Sequence, residues 1–248
     1  MRDKSVLFLT AIIFIVIISG CTTNSITTVN GEEKELSSCE QIAKQYDKDD
    51  CYFHIAVAKR NSTICEIIFT QHFKDNCYSS IGRINGNESL CDKIESQSII
   101  KNDCYSKVAR LKPDESLCEK INITAEENGR FSKDYCYREI AVEVKQDPDI
   151  CKNIEDKRYQ GISCYAYIAE KKGIEICDDI EDQDVKDYCY DTLANLKKDS
   201  SICDKLGSND IKEKCLGSVT DNYMHCENIT NQTIKDQCYD NINSKHGV

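Results

Sequence analysis

Sixteen of the chain's seventeen cysteines fall in pairs, one pair in each of eight copies of a repeat of roughly 26 residues. The first members are Cys39, Cys65, Cys91, Cys118, Cys151, Cys177, Cys203 and Cys226. The second members are Cys51, Cys77, Cys104, Cys136, Cys164, Cys189, Cys215 and Cys238. Eleven or twelve residues separate the two in every copy except the fourth, which has seventeen. A fixed period of this size is the signature of a stacked array, in which each unit buries its apolar face only against its neighbours.

The residues around the first cysteine predict a helix. Three positions after it stands an aliphatic: Ile42, Ile68, Ile94, Ile121, Ile154, Ile180, Leu206 or Ile229. Six copies also carry Ile or Leu just before it. Positions −1, 0 and +3 lie along one helical stripe. Four residues ahead of the cysteine come Asn61, Asn87, Asp114, Asp147, Asp199 and Asn222, with Gly173 at the junction of the fifth and sixth units. Asn and Asp accept a hydrogen bond from the exposed N–H groups of a first turn, so each unit is predicted to open with a capped helix of about two turns.

The second cysteine has a different setting. Tyr follows it in seven copies (Tyr52, Tyr78, Tyr105, Tyr137, Tyr165, Tyr190, Tyr239), an aliphatic comes at +4, and a small residue usually at +5. These positions again share a helical face, and the small residue admits a neighbouring helix. Lys-Asp pairs such as Lys48-Asp49 and Lys186-Asp187 precede the cysteine, placing an acid near the helix N-terminus, where the macrodipole favours it. No strand pattern occurs, and the two prolines, Pro113 and Pro148, lie at junctions. The expectation is an all-α solenoid of about eight short helical hairpins.

This density of cysteine belongs in an oxidising space. A zinc reading needs closely spaced pairs such as Cys-x2-Cys, and none occurs, so no metal is expected. Spacing leaves two disulfide registers open, one within each unit and one joining each second cysteine to the next unit's first. Parity separates them. The within-unit register pairs all sixteen, whereas the shifted one strands Cys39 and Cys238 at opposite ends, too far apart for a bridge. Each hairpin is therefore expected to hold one intra-repeat disulfide, which compensates for a core too small to be stable alone.

Residues 1–20 read as an export signal: Arg2 and Lys4 precede an apolar run from Ser5 to Ser19 that is short for a membrane span. Ile18-Ser19-Gly20-Cys21 resembles the lipobox of prokaryotic lipoproteins, an aliphatic residue and two small ones before the cysteine that receives the lipid. That resemblance implies a diacylglyceryl thioether on Cys21 and cleavage just before it. Residues 21–34 would then be the lipidated cysteine and its tether, and 35–248 the repeat domain, held outside the cytoplasm on the cell membrane. The whole stretch Thr22–Ser37 has few apolar residues and reads as solvated spacer. The net charge is −11, and the first twenty residues contribute +1, leaving −12. Such a surface disfavours nucleic acid.

Arrays of helical hairpins resemble the TPR and Sel1-like solenoids in architecture, and that resemblance implies a curved surface that binds a protein or peptide. The units here are shorter and lack the TPR pattern of Trp, Leu, Gly and Tyr. No Gly-rich phosphate loop, His-Glu-x-x-His or Gly-x-Ser-x-Gly occurs, so neither a cofactor nor catalysis is expected. The expected role is protein or peptide binding or scaffolding. The alternatives are a ligand-capturing receptor lipoprotein and an accessory or inhibitor of an envelope enzyme. The Tyr series is expected to pack as core rather than line a groove. Five Asn-x-Ser/Thr sequons occur. Those at Asn61 and Asn87 coincide with caps, leaving Asn122, Asn228 and Asn231 as candidates for glycosylation. The fourth and fifth units depart most from the repeat, through a longer inter-helix segment around Thr124–Ser132 and the loss of the Lys-Asp pair. They make Arg130, Arg158, Tyr159 and Tyr167 the candidate binding residues.

Overall fold

The computed structural model describes residues 33–95, 99–122 and 129–247. Among these there is no strand, and short and long helical segments alternate through eight hairpins. Every bridge closes within its own hairpin, from Cys39–Cys51 and Cys65–Cys77 through Cys91–Cys104, Cys118–Cys136, Cys151–Cys164, Cys177–Cys189 and Cys203–Cys215 to Cys226–Cys238. Their Cα atoms are 5.6–5.8 Å apart. Cys21 and the leader lie outside the described residues.

The predicted caps form. The side-chain oxygen of Asn87 accepts the N–H of Ser89 at 3.2 Å, and Asp114, Asp147, Asp199 and Asn222 accept the equivalent N–H at 3.0 Å. The short helices of the hairpins run to between one and two turns. Glu88–Asp92, Pro148–Cys151, Glu175–Asp178 and Tyr223–Glu227 are about one α-helical turn. Ile64–Ile67, Glu115–Lys120 and Ser200–Lys205 are 3-10 turns. The aliphatic at +3 already leaves the helix, with ψ 126° at Ile68 and 139° at Leu206. The chain must reverse there to bring its second cysteine beside the first.

The long helices run Gln45–Lys59, Gln71–Asn85, Ile99–Leu111, Gln183–Lys197, Asn209–Thr220 and Gln232–His246. In the fourth hairpin Lys133–Arg138 continues as a π-helix, Glu139–Lys145. In the fifth, Lys157–Tyr159, a π-helix Gln160–Tyr165 and Ala166–Lys172 follow one another. Several long helices end on a left-handed residue, such as Arg60 at φ 53° and Lys198 at φ 56°. The next residue, the cap of the following hairpin, returns its N–H to a small residue's carbonyl: Asn61 to Ala56 at 2.9 Å and Asp199 to Ala194 at 3.1 Å. One Asn or Asp thus closes one hairpin and opens the next.

Three further ties join neighbouring hairpins. The acid two residues before the second cysteine is not merely a dipole partner. It reaches the inter-helix turn of the next hairpin: Asp49 accepts Phe69 N–H at 3.0 Å and Thr70 N–H at 2.8 Å. Asp134 accepts Glu155 and Asp156 N–H at 3.1 Å each, and Asp187 accepts Gly207 N–H at 3.3 Å. Next, the Tyr after the second cysteine donates to the acid after the first, as Tyr105 to Asp92, Tyr137 to Glu119 and Tyr190 to Asp178. A Lys from the next hairpin then bridges that acid and covers the ring: Lys205 lies 2.7 Å from Asp178 and 5.5 Å from the Tyr190 centroid. These tyrosines are core, each at most 6% exposed from Tyr52 to Tyr190.

Finally, the small residue seats the next disulfide. A Cβ on Gly82 would stand 3.2 Å from Cys104 Sγ, and one on Gly217 only 2.9 Å from Cys238 Sγ. The core accordingly runs unbroken from Cys39 to Cys215, and the eighth hairpin holds a smaller cluster of Cys226, Ile229, Cys238 and Ile242. At the other end the first helix covers residues 33–40, with Leu36 on the core and Glu35 bridged to Lys59 at 3.0 Å. Folding therefore begins inside the stretch Thr22–Ser37 whose composition reads as spacer.

Candidate binding face

The ladder of ties breaks at the fifth hairpin, which Asp134 still clamps to the fourth but which carries no clamping acid of its own. Fifteen residues lead from Cys136 to Cys151, where fourteen lead from Cys51 to Cys65. The extra residue is absorbed by the π-helical turn Glu139–Lys145, the usual consequence of a single insertion in a helix. In the fifth hairpin Ile162 replaces the clamping acid and Lys152 replaces the tyrosine's acid. Gly161 takes over the contact with the sixth hairpin. A Cβ there would lie 2.7 Å from the Val185 carbonyl and 2.6 Å from Tyr188 Cβ, so only glycine fits.

An Arg and Glu network joins the third, fourth and fifth hairpins beside this break. Glu139 is buried. One of its carboxylate oxygens meets Arg138, and the other lies 3.0 Å from Arg110 of the third hairpin. The Arg138 Nε donates to the Ser163 carbonyl at 3.3 Å, and its Nη2 lies 3.2 Å from Glu143. The same guanidinium sits 5.6 Å from the Tyr167 ring centroid. Burial pushes Tyr159 up to about 12 and also raises Tyr135. Arg138, Arg110 and Arg130 act in the opposite direction on Tyr135, so all three cations lie within electrostatic range of it.

The structure therefore divides the four predicted binding residues. Tyr159 and Tyr167 are half-buried and pack against the core, Tyr167 beneath Arg138. Arg130 and Arg158 are exposed. The acids at 126–127 of the long inter-helix segment lie outside the described residues. What sequence reasoning missed is a groove beside this network. It encloses about 390 Å³ and is lined by Arg83, Lys107, Arg110, Leu111 and Val144. Leu111 is 60% exposed and Val144 37%. Arg83 is paired with Asp103 at 2.8 Å and Arg110 with Glu139, while Lys107 has an open flank on the groove. Three cations around two aliphatic side chains form a basic, apolar depression on a strongly acidic chain. The signal in the sequence was present as Lys107, Arg110 and Leu111, an i, i+3, i+4 stripe on the exposed side of the third long helix.

A second recess of about 530 Å³ lies between the fifth and sixth hairpins. It is lined by Asp149, Lys152, Gln160, Tyr165, Ile180 and Asp182, among others. Its Asp149 is paired with Lys152 at 2.6 Å and its Asp182 with Lys157 at 2.5 Å. Of the three candidate glycosylation residues, Asn122, Asn228 and Asn231 are all exposed. Asn231 nonetheless caps the last helix, accepting Ile234 N–H at 3.2 Å, so it lies on a cap rather than off one. Asn228 donates to Glu213 at 3.2 Å. All sixteen described cysteines are consumed in bridges, which leaves no thiol among them for metal or nucleophilic chemistry.

Among the described residues no helix is long and apolar enough to cross a membrane. The eight bridges place the folded array in an oxidising, extracytoplasmic space. No protein-family model matches the chain, and neither a curated protein nor a solved structure matches it.

Proposed function

We propose that this protein is a lipid-anchored component of the cell envelope whose helical array binds a protein or peptide partner without catalysing a reaction. The observation that carries this reading is the groove of Arg83, Lys107, Arg110, Leu111 and Val144, basic and apolar on a chain of net charge −11. Its chemistry fits a segment that presents a carboxylate beside an aliphatic side chain. Carboxylates would pair with Lys107 and Arg83, and the aliphatic group would cover Leu111 and Val144. The tether is the diacylglyceryl group on Cys21, read from the lipobox resemblance. The non-catalytic reading is supported by how the polar groups are spent. The acids of the repeat serve as caps and inter-hairpin clamps, and His225 is held by Glu213 at 2.8 Å.

A photo-crosslinking residue at Leu111 of the full-length protein in its own envelope tests the proposal. A polypeptide adduct that disappears in Lys107→Glu/Arg83→Glu is the expected result, and an adduct indifferent to those charges would refute it. The ligand-capturing receptor is favoured by one observation, the 530 Å³ recess beside Tyr165, a size common for small-molecule sites. It predicts a large thermal shift with small molecules and no polypeptide adduct.

A further inference from the structure

Aromatic side chains are distributed unevenly along the array. Four phenylalanines follow the leader, and three of them, Phe53, Phe69 and Phe73, stand in the first two hairpins. Tyr46 meets Phe73 edge-on with centroids 4.9 Å apart, and Phe53 lies 6.4 Å from Phe73. His72 and His54 flank them at 6.2 Å and 5.3 Å. Phe69 precedes Phe73 by four residues, on the turn whose N–H groups Asp49 holds, and is 80% exposed. Tyr46 is 68% exposed and Ile67 51%. Phe53 and Phe73 are half-buried against the core, so the exposed part is Tyr46, Ile67 and Phe69, and large apolar side chains exposed together mark an interaction site.

Charge and chain path say what covers it. Residues 33–85, the first two hairpins, carry seven cationic and eight acidic side chains, a net −1, whereas residues 86–248 carry a net −10. The aromatic end is thus the near-neutral end, and the rest of the array is the part repelled by anionic headgroups. The chain also enters at this end. The twelve residues from Cys21 to Glu33 reach at most about 43 Å when fully extended, so the first two hairpins stay nearest to whatever holds Cys21. Phenyl and phenol rings with polar flanks are the side chains that settle at the headgroup level of a bilayer.

We propose that Tyr46, Ile67 and Phe69, backed by Phe53 and Phe73, form a membrane-contacting face that seats the first two hairpins in the headgroup layer of the bilayer. The acidic hairpins three to eight then project away from the surface. The proposal rests on the reading of Cys21 as the tether for its geometry, and adds a second, non-covalent contact that fixes the orientation of the array.

The chain contains no tryptophan, so Phe69→Trp introduces a single indole at an exposed position that tolerates it. Met224→Trp, also exposed at 69% but in the eighth hairpin, is the control. Full-length protein is reconstituted into phosphatidylcholine vesicles with brominated acyl chains. The expected result is a blue-shifted emission and several-fold stronger quenching for Phe69→Trp than for Met224→Trp. Equal quenching in vesicle-bound protein would overturn the proposal, as would an indole at position 69 covered by another polypeptide instead. The mass of the N-terminal peptide reads the lipid on Cys21 separately. Lipidated protein with equal quenching sinks only the aromatic face, whereas selective quenching without the lipid sinks only the tether.

Discussion

The carboxylate of Asp49 in the first hairpin accepts the backbone N–H of Thr70 in the second at 2.8 Å. Its other oxygen accepts the neighbouring N–H of Phe69, and Gln45 supports it from within its own helix at 2.9 Å. The next hairpin's turn, whose amides have no helical partner, is thereby satisfied by a buried acid of the hairpin before it. Repeated at Asp134 and Asp187, this is the register key of the array.

Removing a clamp should be expensive only where a following hairpin exists. Asp134→Ala deletes two charge-assisted bonds and strands two amides, so it should cost about 2–3 kcal/mol and speed hydrogen exchange at Glu155 and Asp156. Asp236 holds the same place in the last hairpin and is exposed, bonded to Gln232 alone among the described contacts. Asp236→Ala should change stability by less than about 0.5 kcal/mol. Equal losses in guanidinium titrations of the oxidised proteins would refute the clamp.

Stability should form a plateau bounded on both sides by the ladder's own groups. Burial pushes Asp49 up, but the donors Thr70, Phe69 and Gln45 outweigh it and hold the carboxyl below 3.8. The Tyr105 hydroxyl and Lys120 do the same for Asp92. A depressed carboxyl binds its proton more readily when unfolded, so this contribution is present above about pH 4 and is lost as pH falls through the folded value. Burial and then the hydrogen bond to Asp92 raise Tyr105 above 10, so its contribution is present below about pH 10 and is lost above it. Asp49→Asn should flatten only the acid limb of a pH titration of the melting temperature, whereas Tyr105→Phe should flatten the alkaline limb and, by removing the donor that depresses Asp92, part of the acid limb as well.

The bridges should be indispensable. Each closes a loop with a sequence separation of 12 to 18, and a loop of about 15 residues is worth roughly 3 kcal/mol in the chain-entropy model. Full reduction should collapse the far-UV helical signal, and Cys203→Ser/Cys215→Ser should melt its own hairpin and loosen both neighbours. Retention of the helical signal after complete reduction would show that packing alone suffices.

Glycine substitutions should sort by what the added carbon meets. Gly161→Ala places a Cβ 2.6 Å from Tyr188 Cβ and should cost about 1–3 kcal/mol as overpacking, despite the helix-propensity gain of about 1 kcal/mol. Gly129→Ala meets nothing within 4 Å and should leave the thermal midpoint unchanged.

Some features could be read from the chain because they are local or periodic. The hairpin count, the helix caps, the within-unit bridges and the burial of the tyrosine series all follow from spacing and residue type. Others could not. The small residue at +5 was read as admitting a neighbouring helix, and it does, but that it does so at the helix's cysteine and so seats the next disulfide was not legible. In the seventh hairpin, only eleven residues lead from Cys215 to Cys226, so Gly217 at +2 takes over the role and escapes a position-by-position comparison. Tyr167 was singled out for binding because it breaks the pattern, but it packs beneath Arg138 across a hairpin junction. Departure from a repeat marks a site of change without saying whether binding or packing uses it.

By itself the sequence determined the unit: a bridged pair of helices, eight times over, with its caps and apolar stripe in place. Periodicity and capping act over a few residues, so the linear order of side chains carries them. How one unit holds the next was decided only in three dimensions. The Asp clamp, the Lys that closes on the acid of the hairpin before, the Arg110–Glu139 pair and the basic groove join residues some twenty or more positions apart. Their partners become neighbours only after the hairpins stack, because a carboxylate chooses among many equivalent donors by distance and burial rather than by sequence.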